Sequence, residues 1–346
     1  MAEETRIRDI RELINSGILA KELLSEKYIK DFKFYYKFHY DEEFIKKNKA
    51  SIIWHYTKTD VLEKIFPPKN IIKYKNGERY EIENEEYCKD KIKLRFTNIR
   101  FLNDPSEGLV LREFYENNEN LILNSLPEND RKKIPKEIFK EKMPDLYDSY
   151  VFSATHLENS FTFWNKEYAG ANGIAIGINR RNFDLNSRIF AGDFLDVNYI
   201  DLHKKNGEEI IENISSIIKN INSFAELFSP LDNNEFNSCC LYLNMFSILF
   251  KHYSWKGEEE MRFPLIKGKK LSTDIEFSKN RITKNHYEYV NKNAVAHIML
   301  GPECSEEQVE IVRDYLRINE YITSDNDIIV SKSSAFDLRY KSKQKT

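Results

Sequence analysis

The stretch EEEMRFPLI, residues 258–266, alternates apolar Met261, Phe263 and Leu265 with Glu260, Arg262 and Pro264. A period of two belongs to a β-strand with one buried face and one polar face. The alternation predicts a half-buried strand over 258–266, with Glu258, Glu260 and Arg262 on one face and Met261 turned to a core. Two carboxylates and a guanidinium converging on one face are costly unless they are paired or used. The blander alternative is an exposed Glu260–Arg262 ladder, which contributes little.

Outward from this strand, the chain alternates β-rich and helical segments. Ile52 to Tyr56 is a short β-rich run, and a short helix follows it, with Asp60 and Glu63 at capping-box spacing and Pro67-Pro68 as its stop. Strand character returns at 94–101, 150–155, 174–178, 295–300 and 327–330. Asp104, Pro105 and Glu107 predict a helix start, and the helix runs to about Leu126. A short helix is expected over 160–169, a turn at Gly170-Ala171-Asn172-Gly173, and mostly helix over 207–253. Ser305 and Gln308 form a capping box ahead of Val309, Val312 and Leu316, predicting a helix to Asn319. Residues 69–93 are charged and turn-rich and read as an exposed excursion; 127–145 carry three prolines and read as a linker or lid.

The expected class is therefore α+β, a central mostly antiparallel sheet flanked by helices. The expected domains are an N-terminal helical extension over 1–48, a single α+β domain over 49–340 with a helical insertion at about 204–253, and a basic tail over 341–346.

Bulk properties narrow the function classes. The chain has 346 residues, 41% hydrophobic and 32% charged, enough for a substantial core under a polar surface. A net charge of −3 gives no global basic field for nucleic acid. The start MAEETRIRDIRELI lacks the apolar core of a signal peptide, and no run approaches the roughly 20 apolar residues of a membrane span. The four cysteines, Cys88, Cys239, Cys240 and Cys304, form no C-x-x-C pair, which argues against a disulfide framework or a structural zinc site. A cytoplasmic protein with no resident metal is expected. No G-x-G-x-x-G opens a helix after a strand, and no Walker lysine motif, H-E-x-x-H or G-x-S-x-G occurs.

Separated clusters remain. Trp54-His55-Tyr56-Thr57 ends a strand just before a helix, where the histidine can donate to a ligand hydroxyl while Thr57 fixes it. Its alternative is a histidine packed under the next helix. Asn103-Asp104-Pro105-Ser106-Glu107 reads chiefly as a helix cap. Phe152-Ser153-Ala154-Thr155 lies beside Phe161, Phe163, Trp164 and Tyr168, a set able to hold a flat heteroaromatic ring or to form an aromatic core.

At these clusters the sequence resembles the bacterial family called domain of unknown function 2971. The matching residues are His55-Tyr56-Thr57, Phe101 to Glu107, Phe152-Ser153, Trp164 with Tyr168-Ala169-Gly170, Gly173, Val197 with Tyr199, and Trp255 with Glu258, Glu260 and Arg262. Their order and spacing agree across 51–340. A second likeness is to ADP-ribosyltransferases of the diphtheria-toxin and poly-ADP-ribose-polymerase type, carried by His55-x-Thr57 ahead of a helix, then Ser153 or Tyr168, then Glu260 or Glu258.

That likeness implies an ADP-ribosyltransferase-like fold and cleavage of NAD as substrate. The loss of nicotinamide leaves an oxocarbenium-like ribose that a carboxylate stabilises. Glu260 is expected to be catalytic ahead of Glu258, because it lies deeper in the strand, while Glu258 follows Gly257 at a turn. His55, Tyr56, Thr57, Ser153, Trp164 and Tyr168 would hold the dinucleotide, with aromatics around the nicotinamide, and Arg262 would grip a phosphate bidentately. The acceptor is open between protein, nucleic acid and water. A role as a bacterial toxin or anti-phage effector is implied by likeness alone. The rival expectation is a non-catalytic nucleotide- or partner-binding protein on the same scaffold.

Overall fold

The computed structural model describes residues 52–75, 78–102, 104, 106–126, 128, 147–166, 168–183, 194–201, 247–268, 274–278, 281–324 and 327–335. The expected N-terminal extension, the basic tail, the 127–145 linker and most of the 204–253 insertion lie outside them.

Fourteen strands are described. They are β1 (Ile52–Thr57), β2 (Asn70–Lys75), β3 (Glu78–Glu83), β4 (Lys91–Asn98), β5 (Tyr147–Thr155), β6 (Ile174–Asn179) and β7 (Leu195–Asp196). Then come β8 (Asn198–Ile200), β9 (Phe250–His252), β10 (Glu260–Gly268), β11 (Asp274–Ser278), β12 (Arg281–Asn291), β13 (Val295–Leu300) and β14 (Ile329–Lys332). The described α-helices are α1 (Leu62–Ile65), α2 (Val110–Ser125) and α3 (Glu306–Ile318). The class is thus mixed α and β around a large, mostly antiparallel sheet. Ten strands share that sheet, and only β13 and β14 pair in parallel within it.

The sheet forks at β5. Along its whole length, Tyr147 to Thr155, β5 pairs with β10 on one edge. Its other edge must therefore serve both remaining partners. β4 takes Tyr150 and Val151, and β1 takes Thr155. Between them, residues 152–154 have no backbone pairing with either strand. One wing continues from β4 to β12 and β11, the other from β1 to β6, β13 and β14.

Alternation then sorts the side chains. Ile92, Leu94 and Phe96 of β4, Phe152 and Ala154 of β5, and Met261, Phe263 and Leu265 of β10 all enter the main core. Helices α1 and α3 close that core with Leu62, Ile65, Val309, Val312 and Leu316. The opposite face carries Lys93, Arg95 and Thr97, then Val151, Ser153 and Thr155, then Glu260 and Arg262. Each fully buried aliphatic or aromatic side chain contributes about 1.5–3 kcal/mol, so this pattern fixes the face of every central strand.

Several local expectations need correction. The strand expected from Glu258 begins at Glu260, because Glu259 sits at φ 42° and Glu258 ends a 3₁₀ turn over Tyr253–Glu258. The helix expected from Asp104 begins at Val110; Gly108, at φ 75°, interrupts the chain first. Asp104 instead caps a turn, accepting from the backbone N–H and hydroxyl of Ser106 at 2.8 and 2.6 Å. The described residues of 160–169 form turns and bends rather than a helix. Within the excursion expected over 69–93, β2 and β3 make an exposed hairpin. Residues 250–252, at the end of the segment read as helical, form β9. No described helix is long and apolar enough to cross a membrane.

Candidate functional site

A cleft of about 500 Å³ opens in the fork between β1 and β4 and continues over β5 to β10. His55 guards the fork. Its Nδ1 lies 2.8 Å from the carbonyl oxygen of Ser153, on the stretch of β5 that pairs with neither β1 nor β4 along the backbone. A carbonyl only accepts, so Nδ1 carries the proton. The ring packs on Phe152 at 4.5 Å between centroids. Burial lowers the imidazole pKa to about 4, against the Ser153 hydrogen bond and with help from the charge of Arg95. At neutral pH His55 is therefore uncharged, and its Nε2 is an acceptor. The ligand hydroxyl would have to donate, the reverse of the polarity read from the sequence. The carbonyl of Ser153, rather than Thr57, orients the ring.

At the far end lies an ionic pole. Arg262 is 1% exposed and uses all five of its N–H donors. Its Nη1 and Nη2 grip Glu107 in a fork, each at 2.7 Å. Nε and Nη2 grip Glu260 at 2.8 and 3.0 Å, and Nη1 also donates to the carbonyl of Ile248 at 2.6 Å. No donor is left for a phosphate, so the bidentate phosphate grip expected of Arg262 is not available in this arrangement. Nor is the Glu260–Arg262 pair an exposed ladder; both side chains are buried.

Lys251 completes the pole. Its Nζ lies 2.6 Å from Glu258, 3.2 Å from Glu260 and 3.5 Å from Glu107, and sits 4.9 Å from the centre of the Trp255 ring. Burial would lower the ammonium pKa, but the surrounding carboxylates outweigh it and raise the value. Burial likewise works against the Glu260 carboxylate, yet the charges of Arg262 and Lys251 hold its pKa at about 2. The Tyr168 hydroxyl donates to the other oxygen of Glu258, and the Tyr199 hydroxyl accepts from the backbone N–H of Glu260 at 2.8 Å. Asp104 lines the same end, and its Oδ2 is buried with no hydrogen-bond partner among the described residues.

Aromatic rings form the wall between fork and pole. Tyr56 stacks on Phe163 at 4.7 Å, and Phe163 meets Tyr168 edge-on at 5.0 Å. The Tyr56 hydroxyl donates to Leu157 O and accepts from the Ser160 N–H, tying down the loop after β5.

The cleft thus gathers His55, Tyr56, Thr57, Ser153, Tyr168, Glu258, Glu260 and Arg262 from the sequence-read set. Trp164 is not among its lining residues. It is buried with Trp54, Ala169 and Met299 in a small core cluster and donates to Asn159 Oδ1 at 3.1 Å. The bland reading holds for this ring. Sequence reasoning missed three contributors. Glu107 was taken for a helix cap, although it meets Arg262 across 155 residues. Lys251 lay in a segment read as helix, and Tyr199 carried only its place in the family pattern.

Comparison of the chain with protein-family models, with curated proteins and with solved structures returns no match.

Proposed function

We propose that the chain cleaves the bond between nicotinamide and ribose in NAD, and passes ADP-ribose to water or to another acceptor. The observation that carries this reading is the charge balance at the pole. Among the described residues, Glu107, Glu258 and Glu260 pair with Lys251 and Arg262, and Asp104 lines the same end, so carboxylates outnumber cations at a buried end of the cleft. A preorganised negative site in a low-dielectric setting favours a reaction that develops positive charge there. Breaking the C1′–N bond does this. The electron pair leaves with neutral nicotinamide, and the ribose becomes an oxocarbenium. Water then adds its oxygen to C1′ and releases a proton, giving ADP-ribose; an acceptor nucleophile gives the transferred product instead.

Within this proposal Glu258 faces the ribose and Glu260 is a positioning residue. Both oxygens of Glu260 already accept from Arg262, and one accepts also from Lys251. Among the described residues, each oxygen of Glu258 has a single hydrogen-bond partner, Lys251 or Tyr168, and a carboxylate oxygen can accept twice. The Tyr56, Phe163 and Tyr168 wall would hold the nicotinamide, and the Nε2 of His55 would accept from a ribose hydroxyl. The resemblance to ADP-ribosyltransferases supports the same chemistry, and a bacterial toxin or anti-phage role rests on that resemblance alone.

A binding module on the same cleft is the second reading. One observation favours it: Arg262 and Glu260 are fully satisfied without a ligand, as in a rigid wall. Incubation with NAD, with and without cell extract, separates the two. Nicotinamide release that Glu258→Gln lowers by on the order of 100- to 1000-fold supports the enzyme. Saturable NAD binding without release supports the module, and neither binding nor release overturns both.

A further inference from the structure

The cleft has a second charged wall, opposite in sign to the ionic pole. On β4, Lys93 and Arg95 share the face that points away from the main core, because Ile92, Leu94 and Phe96 enter it. Both line the cleft, as does Lys64 of α1. In the antiparallel pairing with β12, Arg95 stands opposite Tyr287, and the Lys93 ammonium lies 4.5 Å from the centre of that ring. The same Nζ is 2.7 Å from Glu86, whose side chain is 56% exposed. The positive charge of this wall reaches the fork: burial is the main cause of the low His55 pKa, and Arg95 adds to it. One continuous cavity therefore runs from a cationic wall on β4, past a neutral histidine, to a pole with an excess carboxylate.

We infer that Lys93, Arg95 and Lys64 form the pyrophosphate subsite of this cleft, binding the diphosphate of a nucleoside diphosphate or dinucleotide. The inference rests on the NAD reading for its orientation, with the phosphates at β4 and the ribose to be cleaved at Glu258. It also supplies the anion grip that Arg262, with every donor engaged, does not. Guanidinium and ammonium groups make short charge-assisted hydrogen bonds to phosphate oxygens. Phosphate competes with the exposed Glu86 for Lys93, and such a surface pair is weak enough to be displaced.

The test measures ADP binding by calorimetry and NAD turnover by nicotinamide release, on the full chain at low and moderate salt. ADP should bind, more weakly as salt screens the wall. In the Lys93→Ala/Arg95→Ala double variant, ADP affinity and the KM for NAD should each worsen by roughly 10- to 100-fold, with kcat within about twofold. Lys93→Arg should retain binding, and Glu86→Gln should tighten it by roughly 2- to 5-fold. Thermal unfolding of each variant reports whether it folds, and Glu86→Gln tests the subsite even where the double variant does not. ADP binding that depends on this wall, without nicotinamide release, keeps the subsite and rejects NAD cleavage. NAD turnover with unchanged KM in the folded double variant rejects the subsite and keeps the cleavage. Failure of the wild-type chain to bind ADP overturns the inference.

Discussion

Arg262 is the residue on which the ionic pole turns. A guanidinium with five engaged donors and 1% exposure leaves a buried charge stranded when a partner is removed. Breaking such a pair by deleting one member costs about 3–5 kcal/mol. Glu260→Gln should therefore destabilise the fold by that order in urea denaturation, and not spare it as an isosteric change on an exposed strand face would. Among the described residues the Glu258 side chain hydrogen-bonds to Lys251 and Tyr168 alone, so Glu258→Gln should cost less than half as much while removing nicotinamide release. Equal losses of stability in the two variants would remove the distinction drawn between them. Arg262→Lys keeps one charge but has three donors for five positions, and should be nearly as destabilising as Glu260→Gln. At the other end of the cleft, His55→Ala should weaken NAD binding by about 5- to 10-fold, the worth of one hydrogen bond at neutral pH. Unchanged affinity in a folded variant would return His55 to a packing role against Phe152.

At the scale of elements, the C-terminal helix was the most legible. Ser305 and Gln308 make the reciprocal capping box their spacing predicts, with Ser305 Oγ accepting from the Gln308 N–H at 3.2 Å. Ser305→Ala should cost about 0.5–2 kcal/mol, read as a fall in the urea midpoint. The turn before β6 is held differently. The Gly301 N–H donates to Gly173 O at 2.8 Å, and a Cβ on Gly301 would stand 2.2 Å from the carbonyl oxygen of Ala171. Gly301→Ala must push that turn away, and with it the adjoining segment that carries Tyr168. Nicotinamide release or ligand binding should fall together with stability, the latter by on the order of 1–3 kcal/mol. A fully stable variant would show that the two backbones separate freely. Strand beginnings were less legible, because they depend on backbone conformations that side-chain alternation does not record. The φ of 42° at Glu259 moves Glu258 off β10, yet Lys251 draws its carboxylate back to the same pole.

Across the whole molecule, several groups whose pKa values are lowered in the fold set how stability responds to acid, and His55 and Glu260 are the two that line the cleft. His55 titrates near 6.5 when unfolded and near 4 when folded, so between those values the unfolded chain holds more protons. Its contribution is complete above pH 6.5 and lost as pH falls towards 4. Glu260 changes from 4.5 to about 2, so its contribution is complete above 4.5 and lost as pH falls towards 2. Urea midpoints measured from pH 8 to pH 3, on the order of those windows, should fall through both. His55→Gln should shrink the fall in the upper window, where His297 also contributes, and leave the lower window unchanged; parallel curves for variant and parent would reject the assignment.

What the sequence determined by itself was local and periodic. The alternation of Met261, Phe263 and Leu265 with polar residues set the faces of β10, and the Ser305–Gln308 spacing set the start of α3. The residue types of the cleft were also visible, in the separated clusters that hold His55, Ser153, Tyr168 and Glu260. Only the tertiary structure decided which charges meet. Glu107 reaches Arg262 across 155 residues, and the alternative role of a helix cap accounted for its sequence neighbourhood. Likewise only the pairing of β5 with β10 on one edge, and with both β4 and β1 on the other, opens the fork that makes a cleft. Periodicity reports which face of a strand is buried; it carries no information on which strand lies beside it, and a site built at a fork depends on that neighbour.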